Sequence, residues 1–139
     1  MQDIFCRIIS GEVPTVKVYE DDDVLAILDV SQLTPGHTLV MPKKHYENFL
    51  DCPPETMNKV YDVAQRIGQA MVAVLGAKGV NVLTNVGEEA GQSVPHFHVH
   101  VIPRYVAGQG GFQITMKAQD TSSMDLPRLA MDLSKAIKK

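Results

Sequence analysis

Short stretches of alternating or continuous apolar residues predict the β-strands of this chain. Residues 16–20 and 24–29 predict a hairpin, and residues 37–42 predict a third strand that ends at a proline. Residues 79–85 and 94–103 predict a fourth and a fifth strand. Because the strands come in runs rather than alternating regularly with helices, we expect a largely antiparallel five-stranded sheet.

A period of three to four residues predicts three helices. Residues 4–9 form a short one-sided apolar pattern that is followed by Gly11. The longest pattern follows Pro53 and Pro54 and runs to Gly76, which predicts one long helix with an apolar face on the sheet. A third pattern near the C-terminus begins after Ser123 or Asp125, either of which can cap a helix. The fold class is therefore α+β.

The chain is expected to form a single domain over residues 1–139. It contains no internal repeat, and 139 residues suffice to bury about two-thirds of the unfolded surface. Residues 107–123 are rich in glycine and polar residues and predict a loop. Three consecutive carboxylates at 21–23 are expected to form a solvated turn rather than a metal site.

Composition narrows the classes of function. The chain is 45% hydrophobic and 21% charged, and no apolar run approaches the roughly 20 residues that cross a bilayer. With no export signal apparent, we expect a cytoplasmic protein with no membrane partner, in which Cys6 and Cys52 remain thiols. A net charge of −3 argues against binding a nucleic-acid polymer, but a small phosphate ligand needs only a few donors.

Three of the five histidines, His96, His98 and His100, alternate with apolar residues. In an extended strand this spacing places the three imidazoles on one face, roughly 7 Å apart. Four interpretations are open: a solvent-facing strand, a metal site, a pH-sensing network, or phosphate chemistry. Phosphate chemistry is favoured because Gly91, Gln92 and Ser93 bring a hydroxyl and backbone N–H groups close to the histidines.

Residues 91–102, Gly-Gln-Ser-Val-Pro-His-Phe-His-Val-His-Val-Ile, resemble the His-x-His-x-His signature of the histidine triad (HIT) family. Residues 4–14, 26–31 and 35–45 are similar to further segments of its Hint-like bacterial branch, the nucleoside phosphoramidase type, whereas residues 107–139 match only loosely. The resemblance implies hydrolysis of purine nucleoside 5′-phosphoramidates or related nucleotidyl conjugates. It also implies a homodimer with a sheet continuous across both chains.

The resemblance implies a catalytic role for five residues. His98 resembles the nucleophile that forms a nucleotidyl-histidine intermediate, and covalent catalysis divides one difficult step into two. His96 and His100 would flank the phosphate, with the backbone at His96 orienting His98. Ser93 would donate to the phosphate or the leaving group, and His37 resembles a fourth histidine beside the site.

Nucleotide binding is likewise implied by the resemblance. Asp29 is similar to a carboxylate that accepts both ribose hydroxyls, and Asn85 to a residue near the phosphate. The full set implied for binding is Asp29, Asn85, Gln92, Ile4, Phe5, Ile8, Ile27 and Val30. From the sequence alone, core packing is the favoured explanation of each of the apolar residues.

A metal site is a further implication. Bacterial relatives carry a Cys-x-x-Cys pair that binds zinc together with two histidines, and this chain has Asp3 at the first cysteine position. Asp3, Cys6, His45 and His96 still offer four ligands, because carboxylate oxygen also binds zinc. Loss of one thiolate weakens the case for tightly bound zinc. The resemblance implies catalysis that does not depend on this metal, so we expect no required cofactor.

Two other functions remain open at this point. The same residues suit a purine-nucleotide binding or scaffold module with little turnover. They also suit a hydrolase of dinucleoside polyphosphates or a nucleotidyl transferase, since these would share the triad.

Overall fold

The computed structural model describes residues 3–106 and 118–137, and its elements follow the predicted order. Helix α1 spans Ile4–Ile9, α2 spans Pro54–Leu75 and α3 spans Leu126–Ala136. The strands are β1 Lys17–Glu20, β2 Val24–Leu28, β3 Thr38–Pro42, β4 Gly79–Leu83 and β5 Val99–Arg104. One turn of 3₁₀-helix, Glu88–Ala90, interrupts the loop between β4 and β5.

The five strands form one sheet in the order β1-β2-β3-β5-β4, and every neighbouring pair is antiparallel. The α+β class with an antiparallel five-stranded sheet is thereby confirmed. β5 lies between β3 and β4, so His100 is paired with Leu39 on one side and with Leu83 on the other. This central position fixes the histidine-bearing strand from both edges.

Alternating residues of the sheet pack into two separate clusters. Val24, Ala26 and Val40 face α2, which contributes residues including Val60 and Ile67 to the larger cluster. The intervening residues of β2 and β3 face α1 on the opposite side, where Leu25, Ile27, Leu39 and Met41 surround Phe5. The sheet therefore packs on α2 with one face and leaves the other to the short helix α1.

The fifth strand begins later than its sequence pattern predicts. Residues 94–98 precede β5, because the neighbouring chain turns away from the sheet after Pro42, whose ring removes the N–H that would continue the ladder. The Phe97 N–H donates instead to the carbonyl of Tyr46, at 2.7 Å. His96 and His98 thus lie on an irregular approach to the strand, yet they keep the predicted alternation.

Helix α3 is capped by Asp125, whose carboxylate accepts the Arg128 N–H at 3.1 Å, as one of the two predicted caps. None of its residues is buried. Of the loop predicted over 107–123, residues 107–117 lie outside the described residues. Across the described part of the chain, no helix combines the length and apolar character needed to span a bilayer.

Candidate active site

The three histidines of the 96–100 run lie on the sheet face opposite α2. Phe97 and Val99 belong to the cluster against α2, whereas the ring of His98 lies 4.9 Å from that of Phe5 on α1. The centroids of His98 and His100 are 5.1 Å apart. The predicted separation of chemical and packing faces is therefore present, although His96 and His98 are themselves buried.

The tautomer of His98 follows from one hydrogen bond. Its Nδ1 lies 2.7 Å from the carbonyl oxygen of His96, and a carbonyl can only accept, so Nδ1 carries the proton. Nε2 consequently holds a lone pair. Burial lowers the pKa of His98 below its ordinary value, which keeps the ring neutral. His98 therefore presents a neutral nitrogen nucleophile.

In His100 the donor and acceptor nitrogens are exchanged relative to His98, because of its contact with His37. The Leu33 N–H lies 3.4 Å from Nδ1 of His37, which makes that nitrogen an acceptor and places the His37 proton on Nε2. His37 Nε2 lies 3.0 Å from His100 Nδ1 and donates to it. The proton of a neutral His100 is then on Nε2, as a donor suited to a phosphate oxygen.

The charge states support these assignments. Burial, reinforced by the neighbouring imidazoles of His98 and His37, lowers the pKa of His100 to about 4. Burial also lowers the pKa of His37, although the carboxylate of Asp29, 3.7 Å from its Nε2, opposes the shift. At neutral pH the rings of His37, His98 and His100 are therefore uncharged, and each of their hydrogen bonds has a defined donor and acceptor.

A cavity of about 400 Å³ opens beside His98 and His100. It is within the size range of small-molecule sites, and its lining is largely apolar with a few polar side chains. Nine of the predicted site residues line it: Ile4, Phe5, Ile8, Ile27, Asp29, Val30, Ser93, His98 and His100. The structure thus brings together residues from α1, the end of β2, the loop between β4 and β5, and β5.

Four predicted residues do not line the cavity. His37 and His96 lie behind the histidines they contact. Asn85 approaches the carbonyl of Gly91 at 3.5 Å instead. The amide of Gln92 accepts the Gly87 N–H and donates to the carbonyls of Glu47 and Val94, so its side chain braces the loop.

Thr84 was not predicted from the sequence. Its hydroxyl donates to the carbonyl of His98 at 2.7 Å, which fixes the backbone of the central histidine from the end of β4. A threonine beyond a strand carries no distinguishing pattern. Only the pairing of β4 with β5 reveals its role.

A second cluster lies beside the histidines, outside the cavity lining. Asp3, Cys6, His45 and His96 place one potential ligand atom each within 4.8 Å of all the others. Asp3 and Cys6 come from the start of α1, His45 from the segment after β3, and His96 from the approach to β5. The four candidate metal ligands are therefore adjacent in space.

The fold and the site built on His98 and His100 define a class of protein. Comparison with known families identifies this class. The HIT domain family matches residues 10–107, which is more than half of the chain. The chain belongs to the HIT, or histidine triad, family.

Similar proteins extend over nearly the whole chain. "Protein hit" of Bacillus subtilis is 44% identical over 135 residues, covering 96% of this chain and 93% of that protein. A crystal structure of a HIT family member from Bacillus subtilis has a TM-score of 0.92 and 41% identity, and covers 100% of this chain and 99% of that one.

Two further relatives have descriptions that mention chemistry. "Adenylylsulfatase HINT3" of Arabidopsis thaliana is 43% identical over 101 residues, which are 73% of this chain and 51% of that protein. The crystal structure of a Zn-bound histidine triad family protein from Mycobacterium smegmatis has a TM-score of 0.74 and 42% identity, covering 82% of this chain and 83% of that one.

Proposed function

We propose that the protein hydrolyses purine nucleoside 5′-phosphoramidates or related nucleotidyl conjugates through a nucleotidyl-His98 intermediate. The observation that carries the proposal is that two adjacent imidazoles have opposite tautomers. His98 offers a lone pair on Nε2, and His100 offers a proton on Nε2. The family includes an adenylylsulfatase, an enzyme whose name denotes cleavage of a nucleotidyl conjugate.

In the first step Nε2 of His98 attacks the α-phosphorus, and the bond between phosphorus and the leaving nitrogen breaks. The Nδ1–H bond to the His96 carbonyl stabilises the positive charge that develops on the ring. The Nε2–H of His100 and the hydroxyl of Ser93 are placed to donate to the phosphate oxygens or the leaving group. The amine leaves with the proton that His100 Nε2 or the Ser93 hydroxyl gives up, and that donor is left deprotonated.

In the second step water attacks the same phosphorus and gives a proton to the group that protonated the amine, which restores that donor. The bond to His98 Nε2 breaks, the nucleoside 5′-monophosphate is released, and the lone pair returns to His98. Because His98 is held by its own Nδ1–H bond throughout, the ring keeps one orientation for both displacements.

The rest of the cavity suits a nucleoside. Ile4, Phe5, Ile8, Ile27 and Val30 form an apolar wall for the base. Asp29 lines the same cavity, and its Oδ1 already accepts the Ser31 N–H at 2.8 Å, which fixes the carboxylate for the ribose hydroxyls. These features favour nucleotides over simpler phosphate esters.

A metal ion has no part in either step. Asp3, Cys6, His45 and His96 would hold it to one side of the cavity, where it would supply a fixed position for His96 rather than a Lewis acid at phosphorus.

Release of amine from adenosine 5′-phosphoramidate, with chelator present, tests the proposal. Wild-type protein should turn over, and His98→Ala should lose activity by about 10³-fold or more, because the nucleophile is absent. His98→Asn is the matched variant, since its amide N–H replaces the donor to the His96 carbonyl without supplying a nucleophile. It should be as inactive as His98→Ala while still binding AMP.

A rapid-quench sample of wild-type protein should also carry a nucleotidyl adduct in the peptide that contains His98. Absence of turnover by wild-type protein that binds AMP would contradict the proposal and favour a nucleotide-binding module. Faster turnover of a dinucleoside polyphosphate than of the phosphoramidate would reassign the substrate class.

A further inference from the structure

One polar side chain of the cavity lining has no part in the proposed mechanism. Among the described residues, five polar side chains line the cavity beside the histidines. Four of them, Asp29, Ser93, His98 and His100, are assigned to the ribose, the phosphate or the leaving group. The fifth is Thr15, which precedes β1 and is half-buried. Because the few polar groups of an apolar cavity orient its ligand and provide specificity, Thr15 is a candidate for contact with the base.

Thr15 lies next to Asp29 across a pair of antiparallel chain segments. The Leu28 N–H donates to the Val16 carbonyl at 3.0 Å, which continues the pairing of β1 with β2 past the end of β1. One residue further along each segment, Thr15 therefore lies opposite Asp29. Opposite residues of an antiparallel pair point to the same face, and both of these residues line the cavity of about 400 Å³ on that face.

The order of the strands matches the order of the groups in a nucleotide. His100 is on β5, Asp29 follows β2 and Thr15 precedes β1, in a sheet ordered β1-β2-β3-β5-β4. Because neighbouring strands are about 4.8 Å apart, Thr15 lies beyond Asp29 in the direction that leads away from the phosphate site. With the phosphate at His98 and His100 and the ribose at Asp29, the next group of the ligand along this direction is the base.

The hydroxyl of Thr15 makes no hydrogen bond within the described part of the chain. The hydroxyls of Thr34, Thr38 and Thr84, in contrast, donate to backbone carbonyls at distances of 2.6 to 2.7 Å. No buried polar side-chain atom of the described residues lacks a partner, so the unpaired Thr15 hydroxyl is accessible from the cavity. Thr15 also lines a neighbouring cavity of about 310 Å³, which shares Ile8 of the apolar wall with the first. The hydroxyl is therefore available to a ligand at the end of the cavity where the base would lie.

We propose that the Thr15 hydroxyl hydrogen-bonds to the polar edge of the six-membered ring of a purine and selects bases that have such an edge. This role rests on the proposed function, because it requires that the cavity hold a nucleotide. The apolar wall, to which Phe5 and Ile8 belong, discriminates only weakly between flat rings of the same size. A hydroxyl can donate or accept, so Thr15 suits the amine of adenine and the carbonyl of guanine alike.

Isothermal titration calorimetry of the full-length protein with two nucleotides of the same shape tests this contact without reference to turnover. AMP has the polar edge, whereas benzimidazole riboside 5′-monophosphate has a six-membered ring of carbon atoms alone and no amine. Thr15→Val removes the hydroxyl and keeps the shape of the side chain. It should lower the preference for AMP over the benzimidazole nucleotide by about 3- to 10-fold, through weaker binding of AMP alone. Comparing the two preferences isolates the single contact.

Thr15→Ser is the matched variant, since it keeps the hydroxyl and loses only a methyl group. It should retain most of the wild-type preference for AMP. Both variants should melt like wild-type protein, because the Thr15 hydroxyl has no hydrogen bond to lose within the described chain. A purely structural role for Thr15 would instead weaken the binding of both nucleotides by the same factor.

An unchanged preference in Thr15→Val, or equal weakening of both nucleotides, would overturn the role of Thr15. Neither result would touch the proposed hydrolysis, which the release of amine measures separately. If wild-type protein showed the Thr15-dependent preference but released no amine, the hydrolysis alone would be contradicted and the role of Thr15 supported. A wild-type protein that bound neither nucleotide would overturn both.

Discussion

His98 and His100 have the same side chain but opposite chemical roles, because their Nδ1 atoms have different hydrogen-bond partners. The Nδ1 of His98 meets a carbonyl, which can only accept, whereas the Nδ1 of His100 meets a donor supplied by His37. The two outward nitrogens therefore differ, one holding a lone pair and the other a proton. His37 acts as a positioning residue, because it sets the tautomer of His100 from behind the cavity.

Acidification should destabilise the protein between about pH 6.5 and pH 5. The pKa of His100 falls from 6.5 to about 4 on folding, and that of His37 is also lowered, so the unfolded chain binds more protons in this range. Stability then rises with pH, by at most about 1.4 kcal/mol per pH unit for each proton. Urea denaturation in chelator at several pH values measures the slope.

His100→Asn is the control for this slope. It removes one buried imidazole. Its free energy of unfolding should therefore depend less steeply on pH over the same range, by up to the contribution of one proton. A slope equal to that of wild type would show that His100 is not held neutral by the fold.

Among the individual site residues, the sequence predicted the placements that depend only on local backbone geometry. The alternation of residues 96–101 is a property of extended backbone, so the shared face of His98 and His100 was predictable. The contact of His37 with His100 depends on the register of β3 against β5, which no local pattern encodes. Asn85 and Gln92 were expected at the nucleotide, but their amides bind the loop that carries them.

The turn into β3 depends on Gly36, which should not tolerate a side chain. Its φ is +105°, and a Cβ would lie 2.8 Å from Leu75 Cδ1 and 3.3 Å from Pro103 Cγ. Gly36→Ala would therefore combine backbone strain of about 1–2 kcal/mol with a smaller cost of crowding the Pro103 ring, since the half-exposed end of Leu75 can move aside. We expect a loss of at least about 1 kcal/mol in the free energy of unfolding, larger than for the strain alone, measured by urea denaturation.

Gly11→Ala is the matched control, because Gly11 also has a positive φ, +88°, but no atom lies within 4 Å of the added Cβ. It should incur the strain alone. Equal losses for the two variants would show that the packing around Gly36 adapts and that only its backbone conformation matters.

Element boundaries were predictable where the signal is local. Helix α1 was predicted at its observed bounds, and Gly76 ends α2 in the left-handed conformation that a glycine there indicates. The start of β5 was predicted five residues early, because the apolar pattern continues through residues 94–98 while the partner chain departs after Pro42. A strand ends where its neighbour leaves, and one-dimensional patterns do not contain that information.

The two edges of the sheet differ in a way that bears on assembly. β1 carries Lys17 and Glu20, which form an ion pair at 2.7 Å, and charged side chains protect an edge from pairing. β4, Gly-Val-Asn-Val-Leu, has no charge, and its Val82 is 49% exposed. A sheet that continues into a second copy would therefore be joined through β4.

We propose a homodimer paired at β4, and a lysine there should disrupt it. Val82→Lys places a charge on each chain at the shared edge, where the two lysines would lose water and repel each other. Sedimentation equilibrium should give twice the chain mass for wild-type protein and a dissociation constant raised by about tenfold or more for the variant.

Val18→Lys is the matched control, since Val18 is 45% exposed on the β1 edge, and it should remain dimeric. If Val18→Lys dissociated and Val82→Lys did not, the paired edge would be β1. A wild-type protein of single-chain mass would rule out the dimer itself.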